Sequence, residues 1–153
     1  MYMDTLNRVE EISVKYTPSL NKPERTRITS SRDSYNEFRK FFDDYTIEVN
    51  EQFFVMYLNR AGKILGVYRA STGGITGTVL DIRLVLGVAL KSLATSLILA
   101  HNHPSGNVHP SRNDQVITAK IKEAAALMDI TVMDHLILTQ NEGYYSFADE
   151  GLI

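Results

Sequence analysis

The sequence contains no cysteine, which excludes disulfide bonds and thiolate ligands for a metal. It has no apolar run long enough to span a bilayer, and its first residues lack the basic-then-apolar pattern of a secretion signal. We therefore expect a cytoplasmic protein that does not enter a membrane. The chain also lacks an excess of one charge, because 18 acidic and 16 basic residues leave a net charge of −2. Without a basic footprint, direct binding to DNA is not expected.

Two unequal parts are expected within the 153 residues, a length that suits one domain. Residues 1–30 are predicted to form a strand over Glu10–Thr17 and then an extended arm, because 18–30 contain two prolines and little apolar periodicity. Three roles for this part stay open: it covers a sheet edge, it pairs with a second copy in a homo-oligomer, or it stays mobile. Residues 31–153 are expected to hold the domain itself.

Helix and strand signals alternate along this second part. Ser30 stands three residues before Asp33, the spacing of a capping box, so a helix is expected to begin there. Further helices are expected from near Asp81 and from Ser111. The strand-like segments are 52–59, 64–71, 96–100, 131–133, 135–140 and 144–148. The run 96–100 has no polar alternation, which indicates a strand buried on both faces. This order predicts an α/β or α+β fold with one mixed sheet flanked by helices.

Each helix is predicted to bury one apolar face. The first of these faces is aromatic, and we expect it to belong to the core rather than to a ligand site. The predicted core residues are Tyr35, Phe38, Phe41, Phe42 and Tyr45 in the first helix, Ile82, Val85, Leu86, Ala89, Leu90 and Leu93 in the second, and Val116, Ile117, Ile121, Ala124 and Met128 in the third.

Two histidines close the buried strand. Residues i and i+2 of an extended chain point to the same side, so His101 and His103 can direct two imidazoles at one point. Asp114 is a candidate for a third ligand, because the proline- and glycine-containing loop before it can fold back. Two histidines and one carboxylate leave a fourth position for water, which is the pattern of a catalytic zinc site.

A purely structural interpretation of the same residues stands beside this one. Ser111 and Asp114 also spell a capping box, a frequent helix start, and His109 lies in a loop where water can solvate it. Short motifs match by accident, so none of these residues is informative alone. Their joint occurrence within fourteen residues at a strand end favours a functional site.

The motif also resembles a known family. His101-Asn102-His103, seven residues, Ser111, two residues and Asp114 match the H-x-H-x7-S-x-x-D pattern of the JAMM (MPN+/JAB) metalloproteases. The string "HNHPSGNVHPSRND", with "MDHLILT" downstream, is similar to the RadC-like branch of that family. The resemblance extends from about Val49 to Ile153. It implies a JAB/MPN-like architecture, broadly similar to that of cytidine deaminases.

The resemblance implies a site and a reaction. One zinc ion would be held by His101, His103 and Asp114. A glutamate would act as general base, and the pattern E-x-F before an apolar strand matches Glu51, with Glu48 as the rival. The reaction would be hydrolysis of a peptide or isopeptide bond by a metal-activated water.

Two further expectations complete this picture of the site. The Ser111 hydroxyl would donate to the oxyanion, a role that competes with capping its helix. Asn102 is expected to point to the opposite side of its strand and to have no ligand role. Glu51 opens one strand and His101 closes another, so the two meet only if those strands run antiparallel or the chain bends.

Other classes of function compete with this one. RadC-like proteins often carry a DNA-repair label, so a protein acting on or near branched DNA is one alternative, although no helix-hairpin-helix pattern precedes residue 45. The letters His-Asn-His resemble HNH nucleases only superficially. A zinc deaminase needs H-x-E and P-C-x-x-C, which a chain without cysteine cannot supply. A non-catalytic metal-binding interaction module is the last alternative. The sequence leaves the substrate open.

Overall fold

The alternating segments of the chain assemble into one mixed β-sheet. The structure is a computed structural model and describes residues 24–73, 79–141 and 143–153. Within these ranges the elements are α1 (Ser31–Arg39), β1 (Gln52–Leu58), β2 (Ile64–Thr72), α2 (Ile82–Ser92), β3 (Ser96–Asn102), α3 (Arg112–Ala126), β4 (Thr131–Leu138) and β5 (Tyr144–Ser146). The expected fold class, a mixed sheet flanked by helices, is confirmed. The strand expected over Glu10–Thr17 lies outside the described residues.

The sheet has the strand order β2-β1-β3-β4-β5. β1 pairs antiparallel with both β2 and β3, β3 pairs parallel with β4, and β5 returns antiparallel to β4. Parallel neighbours need a crossover connection, and α3 provides it. The start of α3 therefore lies near the carboxyl end of β3, where such sheets often place their sites.

β3 is buried along its whole length, as its unbroken apolar sequence predicts. Its side chains alternate between two cores. Leu97 and Leu99 pack on the side of α2 and α3, whereas Ile98 and Ala100 pack on the side of α1. The same alternation directs His101 towards α3 and Asn102 towards the opposite side.

The three helix starts follow the predicted caps. Ser30 and Asp33 form a reciprocal capping box at α1, and the Asp81 side chain accepts a hydrogen bond from the Arg83 N–H at α2. At α3, the capping residue is Ser111. A side-chain oxygen at this position satisfies a backbone N–H that has no partner within the helix, so these starts depend on a few neighbouring residues only.

The predicted helical faces are partly wrong, because the helices end earlier or pack more narrowly than their apolar patterns extend. α1 ends at Arg39, and beyond it the chain leaves Phe41 and Tyr45 exposed. Of the aromatic set, the three that reach the core are Tyr35, Phe38 and Phe42.

The other two helices show the same effect. Leu90 is exposed on α2, and Leu93 is exposed because it ends that helix in the left-handed conformation, with φ +58°. Met128 lies beyond the end of α3. Val116 is half exposed because it lines a cleft beside the N-terminus of α3 instead of the core.

The edge formed by β2 receives the described end of the N-terminal arm. Arg27 pairs with Lys63 in an isolated antiparallel bridge, and the Ile28 N–H donates to the Gly62 carbonyl at 2.9 Å. Residues 26–28 therefore contact the turn between β1 and β2.

Within the described ranges, no helix is both long and apolar enough to cross a membrane.

Candidate metal centre

The register of two strands brings the predicted site residues to one end of the sheet. β1 and β3 run antiparallel, and Phe53 at the start of β1 pairs with His101 near the end of β3. The geometric condition for Glu51 to approach the histidines is thus met. Glu51 precedes β1 by one residue and lines the same cleft as Ser111 and Asp114.

Three predicted ligands converge at this end. Asp114 lies in the first turn of α3, with its Oδ1 atom 3.2 Å from His101 Nε2 and its Oδ2 atom 3.3 Å from His103 Nε2. The two Nε2 atoms lie 2.9 Å apart. Zinc binds nitrogen and oxygen ligands at about 2.0–2.2 Å, so tetrahedral ligand atoms lie about 3.3–3.6 Å from one another. The arrangement has nearly the spacing that one zinc ion needs.

The hydrogen bonds of His103 make the centre suited to a cation. Its Nδ1 atom lies 2.6 Å from the carbonyl oxygen of Asn107. Because a carbonyl only accepts, Nδ1 carries the proton, and in a neutral ring Nε2 is then a free lone pair. That lone pair faces the His101 ring and a carboxylate, a set of acceptors that a positive charge between them would satisfy. These residues fit a divalent metal with imidazole and carboxylate ligands.

The charges of the site are coupled. Burial acts to raise the pKa of Asp114, but its contacts with the imidazoles of His101 and His103 and the hydrogen bond from the Ser111 N–H outweigh burial and hold that pKa well below the usual range. Burial lowers the pKa of His103, yet the hydrogen bonds to Asp114 and Asn107 leave it raised. The carboxylate of Asp114 is therefore anionic and presents its negative charge to the two imidazoles that face it.

The structural and functional interpretations of Ser111 and Asp114 are both compatible with this geometry. The Ser111 hydroxyl accepts a hydrogen bond from the Asp114 N–H at 3.1 Å, and Asp114 Oδ2 accepts one from the Ser111 N–H at 2.6 Å. The cap uses a lone pair of the hydroxyl and leaves its proton available. Ser111 can therefore cap α3 and still donate a hydrogen bond into the cleft.

Glu51 and Glu48 differ clearly in their surroundings. Glu51 is half-buried in the cleft, and burial raises its pKa, an effect that the nearby imidazoles of His101 and His103 oppose. Glu48 is exposed to solvent and does not line this cleft. A raised pKa makes a carboxylate a better proton acceptor, as a general base beside a metal site must be, so Glu51 is the better placed of the two.

Asn102, between the two histidines, holds the segment that carries Glu51. Its side-chain amide donates to the carbonyls of Ile47 at 2.7 Å and Asn50 at 2.9 Å, and its Oδ1 accepts from the Gln52 N–H at 2.7 Å. As expected, Asn102 points away from the imidazoles. The segment before β1 is thereby pinned to the end of β3, which places Glu51 at the cleft.

One residue at the centre was missed by sequence reasoning. His135 of β4 is fully buried, and its Nε2 atom lies 2.7 Å from His101 Nδ1. Phe147 stacks on the His135 ring with centroids 4.7 Å apart, and the Phe53 ring stacks on His101. The available signal was a histidine inside an apolar strand sequence. In contrast, His109 is exposed and packs near Tyr145.

Comparison with known proteins gives the class of this chain. The family model described as RadC-like JAB domain matches residues 28–152, so the chain belongs to the RadC-like JAB domain family. The predicted resemblance is confirmed, and it begins earlier than Val49, because the match includes α1.

Curated relatives agree with this assignment. A UPF0758 protein of Flavobacterium johnsoniae is 44% identical over 126 residues, which cover 82% of this chain and 53% of the relative. A UPF0758 protein of Porphyromonas gingivalis is 42% identical, over 89% of this chain and 59% of the relative. One from Streptococcus suis is 34% identical, over 95% and 60%. The chain thus spans between half and three-fifths of the length of these relatives.

Proposed function

We propose that this domain is a zinc-dependent metallopeptidase that hydrolyses a peptide or isopeptide bond. The supporting observation is the convergence of His101 Nε2, His103 Nε2 and the Asp114 carboxylate within 2.9–3.3 Å of one another. Three protein ligands of this kind, with a fourth position open, are the pattern of catalytic zinc. Membership of the RadC-like JAB family supports the proposal, because the motif of this chain matches that of JAMM metalloproteases.

The chain's own residues divide the remaining chemistry. When bound, a zinc ion would lower the pKa of a water molecule and polarise the substrate carbonyl. Glu51 takes the proton of the attacking water and later delivers it to the leaving amine, a cycle that its raised pKa favours. Ser111 donates its free hydroxyl proton to the developing oxyanion. His101, His103 and Asp114 hold the cation.

The cleft beside the centre suits an extended peptide. It has a volume of about 430 Å³ and joins a polar end formed by Glu51, Ser111 and Asp114 to an apolar wall. The wall residues are Val79, Leu80, Val116 and Ile117. Apolar walls with a few fixed polar groups are typical of substrate sites. We propose that the wall binds an apolar side chain next to the scissile bond.

Metal analysis and peptide cleavage test the proposal together. Purified protein should contain one zinc per chain by elemental analysis and should cleave members of a peptide library, with cleavage abolished by a chelator and restored by added zinc. Glu51→Gln should keep the zinc and lose at least about 10²-fold in kcat, the usual contribution of a general base. The matched control is Glu48→Gln, which removes an exposed carboxylate three residues earlier. This variant should keep both zinc and turnover.

Each other outcome has a definite meaning. Glu51→Gln with full turnover would remove Glu51 from the mechanism, and loss of activity in Glu48→Gln instead would reassign the base. Zinc without any peptide cleavage would contradict a peptidase and favour the metal-binding interaction module. Cleavage of branched DNA in place of peptides would favour the DNA-related alternative.

A further inference from the structure

A chain of buried hydrogen bonds leads from the backbone of Asp114 to the ring of His101. The Thr118 hydroxyl donates to the Asp114 carbonyl at 2.5 Å, and the same hydroxyl lies 2.6 Å from His135 Nδ1. On its other side, His135 Nε2 lies 2.7 Å from His101 Nδ1. Thr118, His135 and His101 are all buried, so solvent does not compete for these bonds.

The protons of this chain can be assigned step by step. A carbonyl only accepts, so the single proton of the Thr118 hydroxyl points to Asp114. The hydroxyl must therefore accept from His135, which places a proton on His135 Nδ1. His135 is fully buried, and its two ring nitrogens face a hydroxyl and another imidazole, so the ring is neutral because a charge buried there would be costly. A neutral ring has one N–H. His135 Nε2 is then an acceptor, and His101 Nδ1 carries the donated proton.

We propose that Thr118 and His135 are positioning residues that hold His101 in the tautomer with a proton on Nδ1 and a free lone pair on Nε2. This inference rests on the proposed metal centre, because the free Nε2 is the atom that faces Asp114 Oδ1 at 3.2 Å. A partner on the second nitrogen of a ligating histidine orients the ring and raises its basicity. Neither Thr118 nor His135 touches the substrate cleft.

Asp114, in the first turn of α3, acts on the candidate centre in two ways. We call the hydrogen-bond chain from the Asp114 carbonyl through Thr118 and His135 to His101 the relay. The side chain of Asp114 approaches the imidazoles directly, while its backbone carbonyl begins the relay that sets the tautomer of His101. His103 has the same pattern, with its proton on Nδ1, because Nδ1 donates directly to the Asn107 carbonyl. The centre therefore uses a local carbonyl for the more exposed histidine and a buried relay for the one inside the sheet.

Removing the Thr118 hydroxyl should reverse the direction of the hydrogen bond between His135 and His101. In Thr118→Val, His135 Nδ1 faces a methyl group, and an N–H there would be buried without a partner, which is unfavourable. His135 then prefers its proton on Nε2 and donates it to His101 Nδ1. The proton of His101 moves to Nε2 and occupies the atom that should bind the metal. Thr118→Ser keeps the hydroxyl and should keep the wild-type tautomer.

The test has two readouts, neither of which is activity. Long-range ¹H–¹⁵N NMR of the metal-free protein at mildly alkaline pH reports which nitrogen of His101 carries the proton. Competition with a chromophoric chelator gives the dissociation constant for zinc. We expect Nδ1–H in the unaltered protein and in Thr118→Ser, and Nε2–H in Thr118→Val. Zinc affinity should fall about 10–100-fold in Thr118→Val, the usual effect of losing such a partner, and stay near wild type in Thr118→Ser.

The outcomes separate this inference from the proposed function. Thr118→Val with the Nδ1–H tautomer and unchanged zinc affinity would overturn the relay, whatever the enzyme does. Nε2–H on His101 in the unaltered protein would overturn it as well. His135→Gln provides a second variant, which should also weaken zinc binding. An unaltered protein that binds no zinc would contradict the metal centre, while the tautomer measurement would still decide the relay.

Discussion

The chain builds the same four-residue helix start twice. Ser30 and Asp33 begin α1, and Ser111 and Asp114 begin α3. In each, the serine hydroxyl accepts a hydrogen bond from the aspartate N–H, and the aspartate carboxylate accepts one from the serine N–H. As local structures the two are equivalent, because a capping box needs only residues three apart.

The two carboxylates differ in what lies opposite them. Asp33 is partly exposed, and hydrogen bonds from Thr29 lower its pKa. Asp114 is largely buried and faces the imidazoles of His101 and His103. The difference comes from the end of β3, which lies beside α3 and not beside the start of α1. Helix capping is thus a property of four residues, whereas a metal ligand is a property of the fold around them.

The largest expected effect separates the two aspartates. Asp114→Asn keeps an oxygen that can accept the Ser111 N–H, but it removes the negative charge from the centre. We expect it to lose bound zinc, with an affinity at least about 10²-fold lower, more than the loss of an outer partner produces. Asp33→Asn should keep one zinc per chain and full turnover. Elemental analysis measures the zinc content of both variants, and peptide cleavage measures turnover. Stoichiometric zinc in Asp114→Asn would show that the ligand assignment is wrong.

The two serines should differ in turnover and agree in stability. Ser111→Ala and Ser30→Ala each remove a cap and should each lower the free energy of unfolding by about 1 kcal/mol. Only Ser111→Ala also removes a donor to the oxyanion, so its kcat should fall about 10²–10³-fold. Denaturant unfolding and steady-state cleavage of a library-derived peptide measure the two effects. Equal turnover in the two variants would confine Ser111 to capping.

The smallest expected effect is on the pH dependence of stability in the metal-free protein, which should differ between the capping boxes of α1 and α3. Asp33 and Asp114 both have lowered pKa values, so their stabilisation is present above the unfolded aspartate pKa of about 3.9 and is lost as pH falls through the folded value. His103 has a raised pKa, so its contribution is present below about 6.5, the unfolded histidine pKa, and is lost as pH rises through the folded value.

The Asp114–His103 pair should therefore stabilise the metal-free protein most between about pH 4 and 6.5. The stability difference between wild type and Asp114→Asn should decline on both sides of this window, whereas the difference for Asp33→Asn should stay level at higher pH. Urea unfolding across the pH range measures both curves. A level curve for Asp114→Asn above neutral pH would argue against its coupling to the histidine.

Features that depend on residues close together in the sequence were predicted, whereas features that depend on residues far apart in the sequence were not. The starts of α1, α2 and α3 follow from caps a few residues long. The ends of the buried faces do not, because Phe41 and Leu93 have the right residue type but lie past the point where packing continues. Apolar periodicity carries no information about where a helix stops touching the sheet.

The site shows the same limit. Spacing alone placed His101 and His103 on one side of a strand, because extended backbone alternates. The approach of Glu51 depended on β1 and β3 being antiparallel, which no local pattern specifies. His135 was missed altogether, since it meets His101 across 34 residues of sequence through the parallel pairing of β3 and β4.

The sequence by itself determined the chemical groups of this protein and their local geometry: two imidazoles at a strand end, a serine and an aspartate at a helix start, and no thiolate to compete with them. Only the tertiary structure decided that the helix start faces the strand end, that Glu51 lies across the cleft, and that a third histidine supports the first. The physical reason is that caps and alternation arise from bonds between near neighbours, whereas convergence of ligands depends on strand register and on the packing of α3 against the sheet.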